Sequence, residues 1–362
     1  MLAGNRTINY LRISITDRCN FRCLYCIPAS SFSFIEHKKI AGYEEILRVA
    51  RLACELGISK IRITGGEPFV RRDIMNFLAQ LCSIEELQDI SITTNGALLT
   101  REKIKKLISF GIKRLNFSLD TLNPDRFKQI TRRDRFNEVW EAIINSHELG
   151  ISPVKINVVI LRGINDDEVE NMAGLTLEYP FHIRFIEYMP MGNTAVEKQQ
   201  QVLTREIREK IELGFGPLKP VIRTLNDGPA KKFSIDGAKG IVGFITPISS
   251  HFCNECNRLR LTSRGTLRPC LLHNYEKDII SPLRKGATDE ELKAKVLEWF
   301  QQKSQGPKKK FYMQDVTKAF VGDDYKKRDV QKAVNSLTSD DKLMYWSSGS
   351  TTMFTLPEFH KG

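Results

Sequence analysis

From residue 10 to residue 187 the apolar positions switch repeatedly between two periods. Runs of period two read as strands: Tyr10–Thr16 (YLRISIT), Lys60–Thr64 (KIRIT), Asp89–Thr94, Arg114–Leu119, Val154–Ile160 and His182–Glu187. Between them, apolar residues three and four apart read as helices at Tyr43–Leu56, Asp73–Leu81, Thr100–Phe110, Asn137–Leu149 and Asp166–Leu177. Gly57 closes the first of these. Strand–helix alternation predicts a parallel sheet covered by helices, because a parallel pair needs a crossover. About six such units fit an α/β fold of the partial or full barrel type. Ligands of such folds gather at the C-terminal ends of the strands.

The rhythm changes after Tyr188-Met189-Pro190-Met191-Gly192. Residues 214–243 are rich in Gly, Pro and short strand-like runs. A helix is expected at Asp289–Gln301 and a linker at Gly306-Pro307-Lys308-Lys309-Lys310. Beyond it, Met313–Phe320 and Lys327–Leu337 read as short helices. Leu343–Trp346 and Thr351–Leu356 read as a hairpin across Ser348-Gly349. The expected organisation is an α/β unit at 1–200, a second region at 201–306, and a small winged-helix-like extension at 311–362.

Composition narrows the class. Hydrophobic residues are 41% and charged residues 27%, the balance of a globular chain. No apolar run approaches the roughly 18 residues of a membrane span. The N-terminus, MLAGNRTINYLRIS, lacks the apolar stretch of a secretory signal, so a cytoplasmic location is expected. The formal charge of +12 asks for an acidic partner or substrate. Eight cysteines in a reducing compartment do not predict disulfides. Cys54 and Cys82 sit singly in helix-like stretches and read as ordinary packed thiols.

The other six cysteines fall in two sets of three. Cys19-x3-Cys23-x2-Cys26 follows the first strand. Three thiolates on one tight loop can hold three corners of a cubane 4Fe–4S cluster, leaving one iron open for chemistry. Cys253 and Cys256 form a CxxC, and Cys270 follows after thirteen residues. That set suits a second cubane with an open iron; zinc with His251 or His273 as fourth ligand is the alternative. Arg258 and Arg260 stand on alternate residues beside it, so an extended segment would turn both to one side. Guanidiniums so placed can hold phosphates or the acceptor atoms of a base.

CxxxCxxC with Tyr25 before its last cysteine resembles the radical S-adenosylmethionine superfamily, and Gly65-Gly66-Glu67-Pro68 at a strand end is similar to its GGEP motif. The whole series LRISITDRCNFRCLYC, IRITGGEP, TTNG, LNFSLDTL, KINVVILRGIND, RFIEYMPMGN and HFCNECNRLRL resembles the GTP 3′,8-cyclase family of molybdenum cofactor biosynthesis. The resemblance runs from about residue 5 to about residue 306. It implies a partial (β/α)6-type radical barrel whose C-terminal region covers the barrel mouth. It implies two 4Fe–4S clusters, one on Cys19, Cys23 and Cys26 with S-adenosylmethionine, the other on Cys253, Cys256 and Cys270 with substrate. Tyr25, Gly66, Ser118 and Met189 match the S-adenosylmethionine pocket, with Glu67 accepting from the ammonium. Arg12, Arg62, Thr93, Lys155, Arg184, Arg258, Leu259 and Arg260 match the surroundings of GTP, with Arg258 and Arg260 also carrying catalysis. These positions are expected at the strand mouths.

The implied reaction takes hydrogen from C3′ of the GTP ribose and joins C3′ to C8 of guanine, giving 3′,8-cyclo-7,8-dihydro-GTP. A cyclic pyranopterin monophosphate synthase would act next, and reduced flavodoxin or ferredoxin would donate electrons. The resemblance also suggests a homodimer. The family's usual tail closing with two glycines is not matched by Phe359-His360-Lys361-Gly362. Two other readings fit the residues: a radical enzyme acting on another nucleotide or a peptide, and a purine-nucleotide sensor with a C-terminal module for protein or nucleic acid. Most lysine runs like 308–310 are solvated surface, so no nucleic-acid partner is expected.

Overall fold

The structure is a computed structural model. It describes residues 8–27, 33–189, 196–222, 228–250, 256–271, 276–289 and 291 in full, and 311–312, 344–348 and 351–355 by backbone alone. The chain divides into two compact units, Met1–Ser304 and Gln305–Gly362.

In the first unit the strands are β1 (Tyr10–Ser14), β2 (Lys60–Thr64), β3 (Asp89–Thr94), β4 (Arg114–Ser118), β5 (Lys155–Val159), β6 (His182–Ile186), β7 (Lys219–Pro220), β8 (Lys231–Ser234), β9 (Ile241–Ile245), β10 (Arg258–Leu261), β11 (Thr266–Arg268) and β12 (Lys277–Asp278). Among the described residues they form one sheet in the order β12-β11-β10-β1-β2-β3-β4-β5-β6-β9-β8-β7. All neighbours from β10 through β1–β6 to β9 are parallel, and the outer pairs are antiparallel. Strands from beyond residue 200 therefore extend both edges of the sheet that the first 187 residues begin.

Each strand of the parallel run is two-faced. Leu11 and Ile13, Ile61 and Ile63, Leu115 and Phe117, Ile156 and Val158, Ile183 and Phe185 are all buried in one hydrophobic core. That core is shared with the helices α1 (Tyr43–Glu55), α2 (Ile74–Cys82), α3 (Arg101–Ser109), α5 (Phe136–Glu148), α6 (Val169–Glu178) and α7 (Thr204–Phe215). The opposite face carries Arg12, Arg62, Ser91, Asn116, Asn157 and Arg184, as the period of two requires. The crossover helices thus meet the apolar side, and the polar side is left for something else.

That polar side is concave. Strands lie about 4.8 Å apart, so β1 and β6, five steps away, would be ~24 Å apart in a flat sheet. Yet Arg184 on β6 and Tyr10 on β1 are electrostatic neighbours, as are Arg184 and Arg62. The sheet must curl to bring them together, as a partial barrel does.

Local chemistry explains where the elements stop. Glu45 reaches back to accept from the Gly42 N–H (2.6 Å) at the start of α1. Gly57, at φ 101°, turns the chain toward β2 in a conformation that side chains disfavour. The short helix α4 (Pro124–Thr131) was not visible in the apolar pattern, since its buried apolar residues are only Phe127 and Ile130. Its start is nonetheless well specified: Pro124 opens it and the Asn123 side chain accepts from the N–H groups of Asp125 (2.9 Å) and Arg126 (3.1 Å). Strand β1 ends at Ser14 rather than Thr16, because Thr16 turns its carbonyl to Gly66. Cys54 is buried and Cys82 half-buried, and burial pushes both thiols up to about 11, as packed thiols should behave.

In the second unit, β13 (Phe311–Tyr312), β14 (Met344–Ser348) and β15 (Thr351–Thr355) form an antiparallel sheet in the order β13-β15-β14. The expected hairpin is present and gains a third strand. The expected helices at 313–320 and 327–337 lie outside the described residues, as does the chain end at 359–362. Most of the helix expected at 289–301 lies outside them too.

Candidate functional site

The first three cysteines ride on the loop that leaves β1. Two glycines let β2 press against this loop. The Gly66 and Glu67 N–H groups donate to the carbonyls of Thr16 (2.7 Å) and Arg18 (2.8 Å). A Cβ on Gly65 would stand 2.6 Å from the Thr16 carbonyl oxygen, and one on Gly66 would run into the Arg18 carbonyl. Glycine is required there by close backbone approach. The far side of the loop is tied to α4, where Arg22 N–H donates to Thr131 (2.9 Å) and Leu24 N–H to Ile130 (3.0 Å). Arg132 and Arg133 brace the loop carbonyls of Arg22 and Asn20, each at 3.2 Å.

Cys19, Cys23 and Cys26 all line one cavity of about 130 Å³. Burial pushes all three thiols up, Cys23 furthest, and binding to iron would remove those protons. The Cys19 sulfur already accepts from the Phe21 N–H at 3.3 Å. Among the described residues no three Cys, His, Asp or Glu side chains converge on one metal ion. A cubane makes a different demand, since each thiolate takes its own iron.

The rest of the cavity wall includes Tyr25, Gly66, Glu67, Thr93, Ser118 and Asp120. Glu67 is 1% exposed. Its carboxylate accepts from the Phe69 N–H (3.1 Å), the Thr94 hydroxyl (2.8 Å) and the Asn95 N–H (2.6 Å). Burial outweighs those donors and pushes it up to about 7. The Tyr25 hydroxyl donates to Asp120 at 2.6 Å, and the Val159 N–H donates to the other oxygen of Asp120 at 2.8 Å. Burial raises Asp120 to about 6. The structure thus brings Tyr25, Gly66 and Ser118 to the cavity with the thiols. Met189 is not on its wall.

Below this cavity the polar face is strongly basic. In register across six strands stand Arg268, Arg260, Arg12, Arg62, Ser91 and Arg114. Arg62 donates to the Ser91 hydroxyl (3.1 Å), and the largely buried Arg184 donates to Asn116 (2.6 Å). Burial, together with repulsion between the guanidiniums, holds Arg12 and Arg184 down to about 9 and Arg260 to about 10. Holding such charges away from water costs several kcal/mol each, on the order of the penalty seen for buried ions. Among the described residues, four buried side-chain polar atoms have no hydrogen-bond partner: Tyr10 OH, Thr93 Oγ1, Arg184 Nε and Arg260 Nε. Native cores rarely leave such groups unpaired, so a cluster of them marks where a ligand belongs.

The expected positions at strand mouths need correcting. Arg12, Arg62 and Arg184 stand at mid-strand, and Lys155 and Arg258 open their strands. The reason lies with the second cysteine set. Cys256 precedes β10, which runs parallel to β1, and Cys270 follows the antiparallel β11. Both therefore lie at the N-terminal end of the parallel strands, opposite Cys19, Cys23 and Cys26. Arg260 feels both of these thiols. A basic floor between two thiol sets belongs along the strands, not at their tips. Leu259 is fully buried and pairs with Leu11 on the apolar face, so its side chain does not join Arg258 and Arg260. Cys253, His251 and His273 lie outside the described residues.

Tyr10, Asn116 and Asp120 were not singled out from the sequence. The signal was available for the latter two: in LNFSLDTL, Asn116 shares a face of β4 with Ser118, and Asp120 follows two residues beyond the strand end. Tyr10 shares a face with Arg12, but a tyrosine opening a strand suggests packing first.

Comparison with known proteins agrees with this geometry. A family model described as Radical SAM superfamily matches residues 13–176, and one described as Molybdenum Cofactor Synthesis C matches 181–309. Residues 292–359 are similar to Dissimilatory sulfite reductase D (DsrD). The structure is similar to SuiB of Streptococcus suis bound to S-adenosylmethionine, with TM-score 0.58 at 16% identity, over 76% of this chain and 64% of that one. This chain thus spans just under two thirds of SuiB, and the likeness concerns the fold. The GTP 3′,8-cyclase of Thermodesulfovibrio yellowstonii is 46% identical over 303 residues, 83% of this chain and 94% of its own. That of Moorella thermoacetica is 50% identical over 289 residues, 80% of this chain and 89% of its own. With this identity over most of both chains, the two sets of cysteines and the basic face between them, the chain belongs to the GTP 3′,8-cyclase family.

Proposed function

We infer that this chain is a radical S-adenosylmethionine enzyme that cyclises GTP between ribose C3′ and guanine C8, in molybdenum cofactor biosynthesis. The observation that carries the reading is the set of unpaired buried donors on Thr93, Arg184 and Arg260, amid arginines with no carboxylate among their main electrostatic partners. A polyanion held between two iron–sulfur sites suits that arrangement.

The residues present fit the groups the family uses. Three thiols share one cavity wall with the close-packed Gly66 and the buried Glu67, which suits a cluster and an amino-acid headgroup. When bound, the cluster and S-adenosylmethionine supply the electron and the hydrogen-abstracting group. The chain's own residues do the rest. Glu67, buried in the same wall, accepts from a bound ammonium, whose charge favours its ionised form. Asp120, oriented by the Tyr25 hydroxyl and the Val159 N–H, accepts from a ribose hydroxyl on the same wall. Arg12, Arg62, Lys155 and Arg184 hold the triphosphate, and Arg258 and Arg260 orient the purine beside Cys256 and Cys270. Such clamping fixes the ribose carbon within reach of the radical and keeps water away.

Electrons would come from a reduced flavodoxin or ferredoxin, and a cyclic pyranopterin monophosphate synthase would consume the product. A cytoplasmic homodimer is consistent with the family, and among the described residues no helix is long and apolar enough to cross a membrane.

The test is anaerobic reconstitution with iron and sulfide, followed by GTP, S-adenosylmethionine and dithionite. Mass spectrometry should find 5′-deoxyadenosine together with the cyclised nucleotide. 5′-Deoxyadenosine with intact GTP would redirect the substrate assignment. Neither product, from protein with its full iron content, would remove the enzymatic reading.

A further inference from the structure

Of the four unpaired buried side-chain polar atoms among the described residues, three belong to residues already assigned to GTP. The fourth is the hydroxyl of Tyr10. Its place is unusual for a packed tyrosine. It opens β1 on the polar face, with Arg258 and Lys60 as cross-strand partners. The Arg62 guanidinium lies over its ring, 5.6 Å from the centroid. Arg12, Arg62, Arg184 and Arg258, from four strands, all act on its charge. Burial alone would raise this phenol's pKa, but the four cations outweigh it and hold the pKa below its ordinary value.

The chemistry of these neighbours is one-sided. A guanidinium offers donors and no acceptor. A phenol O–H among arginines therefore finds nothing to donate to, and none of the guanidiniums donates to its oxygen. What fits is a ligand that brings acceptors and negative charge together.

We propose that Tyr10 is a further substrate-contacting residue, its hydroxyl donating a hydrogen bond to a phosphate oxygen of the bound nucleotide from within the arginine floor. This rests on the reading of GTP as substrate. The ring serves the same end, since the arginine stacked on it is held ready for the same phosphates. A phosphate oxygen satisfies the hydroxyl and the guanidiniums at once, whereas a guanine edge would leave the surrounding charge uncompensated.

The test uses full-length, cluster-reconstituted protein under anaerobic conditions. Tyr10→Phe keeps the ring and its cation–π contact and removes only the oxygen. Binding of GTP and of guanosine is measured by calorimetry for wild type and variant, beside the Tm of each without ligand. Loss of a hydrogen bond to a charged group should weaken GTP binding by about tenfold or more. Guanosine affinity should not change. The ligand-free Tm should stay or rise, because an unpaired buried hydroxyl has been removed. Equal GTP affinity in the two proteins would overturn the proposal and leave GTP as substrate. A lowered Tm, or equal losses for GTP and guanosine, would overturn it in favour of a packing or base contact. Wild-type protein that does not bind GTP at all would instead overturn the reading on which the proposal rests.

Discussion

Arg184 shows how one side chain can be costly for folding and useful for binding. It is 8% exposed, donates to Asn116 and keeps an unpaired Nε among other guanidiniums. Replacing it by Gln removes one of several like charges that repel one another. The Arg184→Gln protein should unfold at the same or a higher temperature without ligand, yet bind GTP at least about tenfold more weakly. A variant that melts lower and binds normally would contradict this account. Asp120 carries a second trade-off. Burial lifts its folded pKa to about 6, against roughly 3.9 in an unfolded chain. The folded state thus holds this proton more tightly, so stability from this group is full below about pH 4 and is lost as pH rises through about 6. Asp120→Asn cannot titrate. Its stability relative to wild type should rise between pH 4 and pH 7 by up to about 3 kcal/mol, read from urea unfolding at each pH. At this scale the sequence was legible where a motif repeats a known chemistry, as with Cys19 and Glu67. It was silent about Tyr10, because nothing in a single residue's neighbours along the chain reveals four arginines arriving from elsewhere.

At the scale of elements, the joint between β2 and the cysteine loop is the critical contact. The N–H groups of Gly66 and Glu67 are bonded to loop carbonyls, and there is no room for a Cβ at Gly66. Gly66→Ala should displace backbone rather than a flexible side chain. The expected result is near-normal helix content with loss of about half the bound iron after reconstitution, as the first cluster fails and the second survives. Full iron and normal 5′-deoxyadenosine formation would show that the loop tolerates the shift. The strands of this region were readable because each has one apolar and one polar face. The helix α4 was not, because eight residues with two buried apolar side chains make too weak a period. Its role in holding Arg22 and Leu24 emerges only from hydrogen bonds across more than a hundred positions. Leu259 shows the limit of reading a site from a motif: the resemblance placed it with Arg258 and Arg260 around GTP, whereas the pleat sends its side chain to the opposite face.

For the whole molecule, the division at residue 304 separates the catalytic unit from the last part of the chain. The relative from Thermodesulfovibrio yellowstonii is covered over 94% of its length by 83% of this chain, and the family model ends at residue 309. Removing residues 311–362 should therefore leave iron content and 5′-deoxyadenosine formation within about twofold of the intact protein, since each unit is compact by itself. A collapse in iron binding would instead assign that unit a part in assembling the site. The alternation of periods, the two cysteine triplets and the ordered motifs were determined by the sequence alone, because periodicity and ligand spacing are local properties. Which face of each strand is polar was equally local. That β10 would pair with β1, that the sheet would curl until Arg184 came within electrostatic reach of Tyr10, and that Cys256 and Cys270 would stand at the opposite end of the strands from Cys19, Cys23 and Cys26 were decided by tertiary structure. Those relations join residues up to 248 positions apart, as Asn9 and Asn257 are joined, and only packing of the crossover helices against the apolar face brings them into contact.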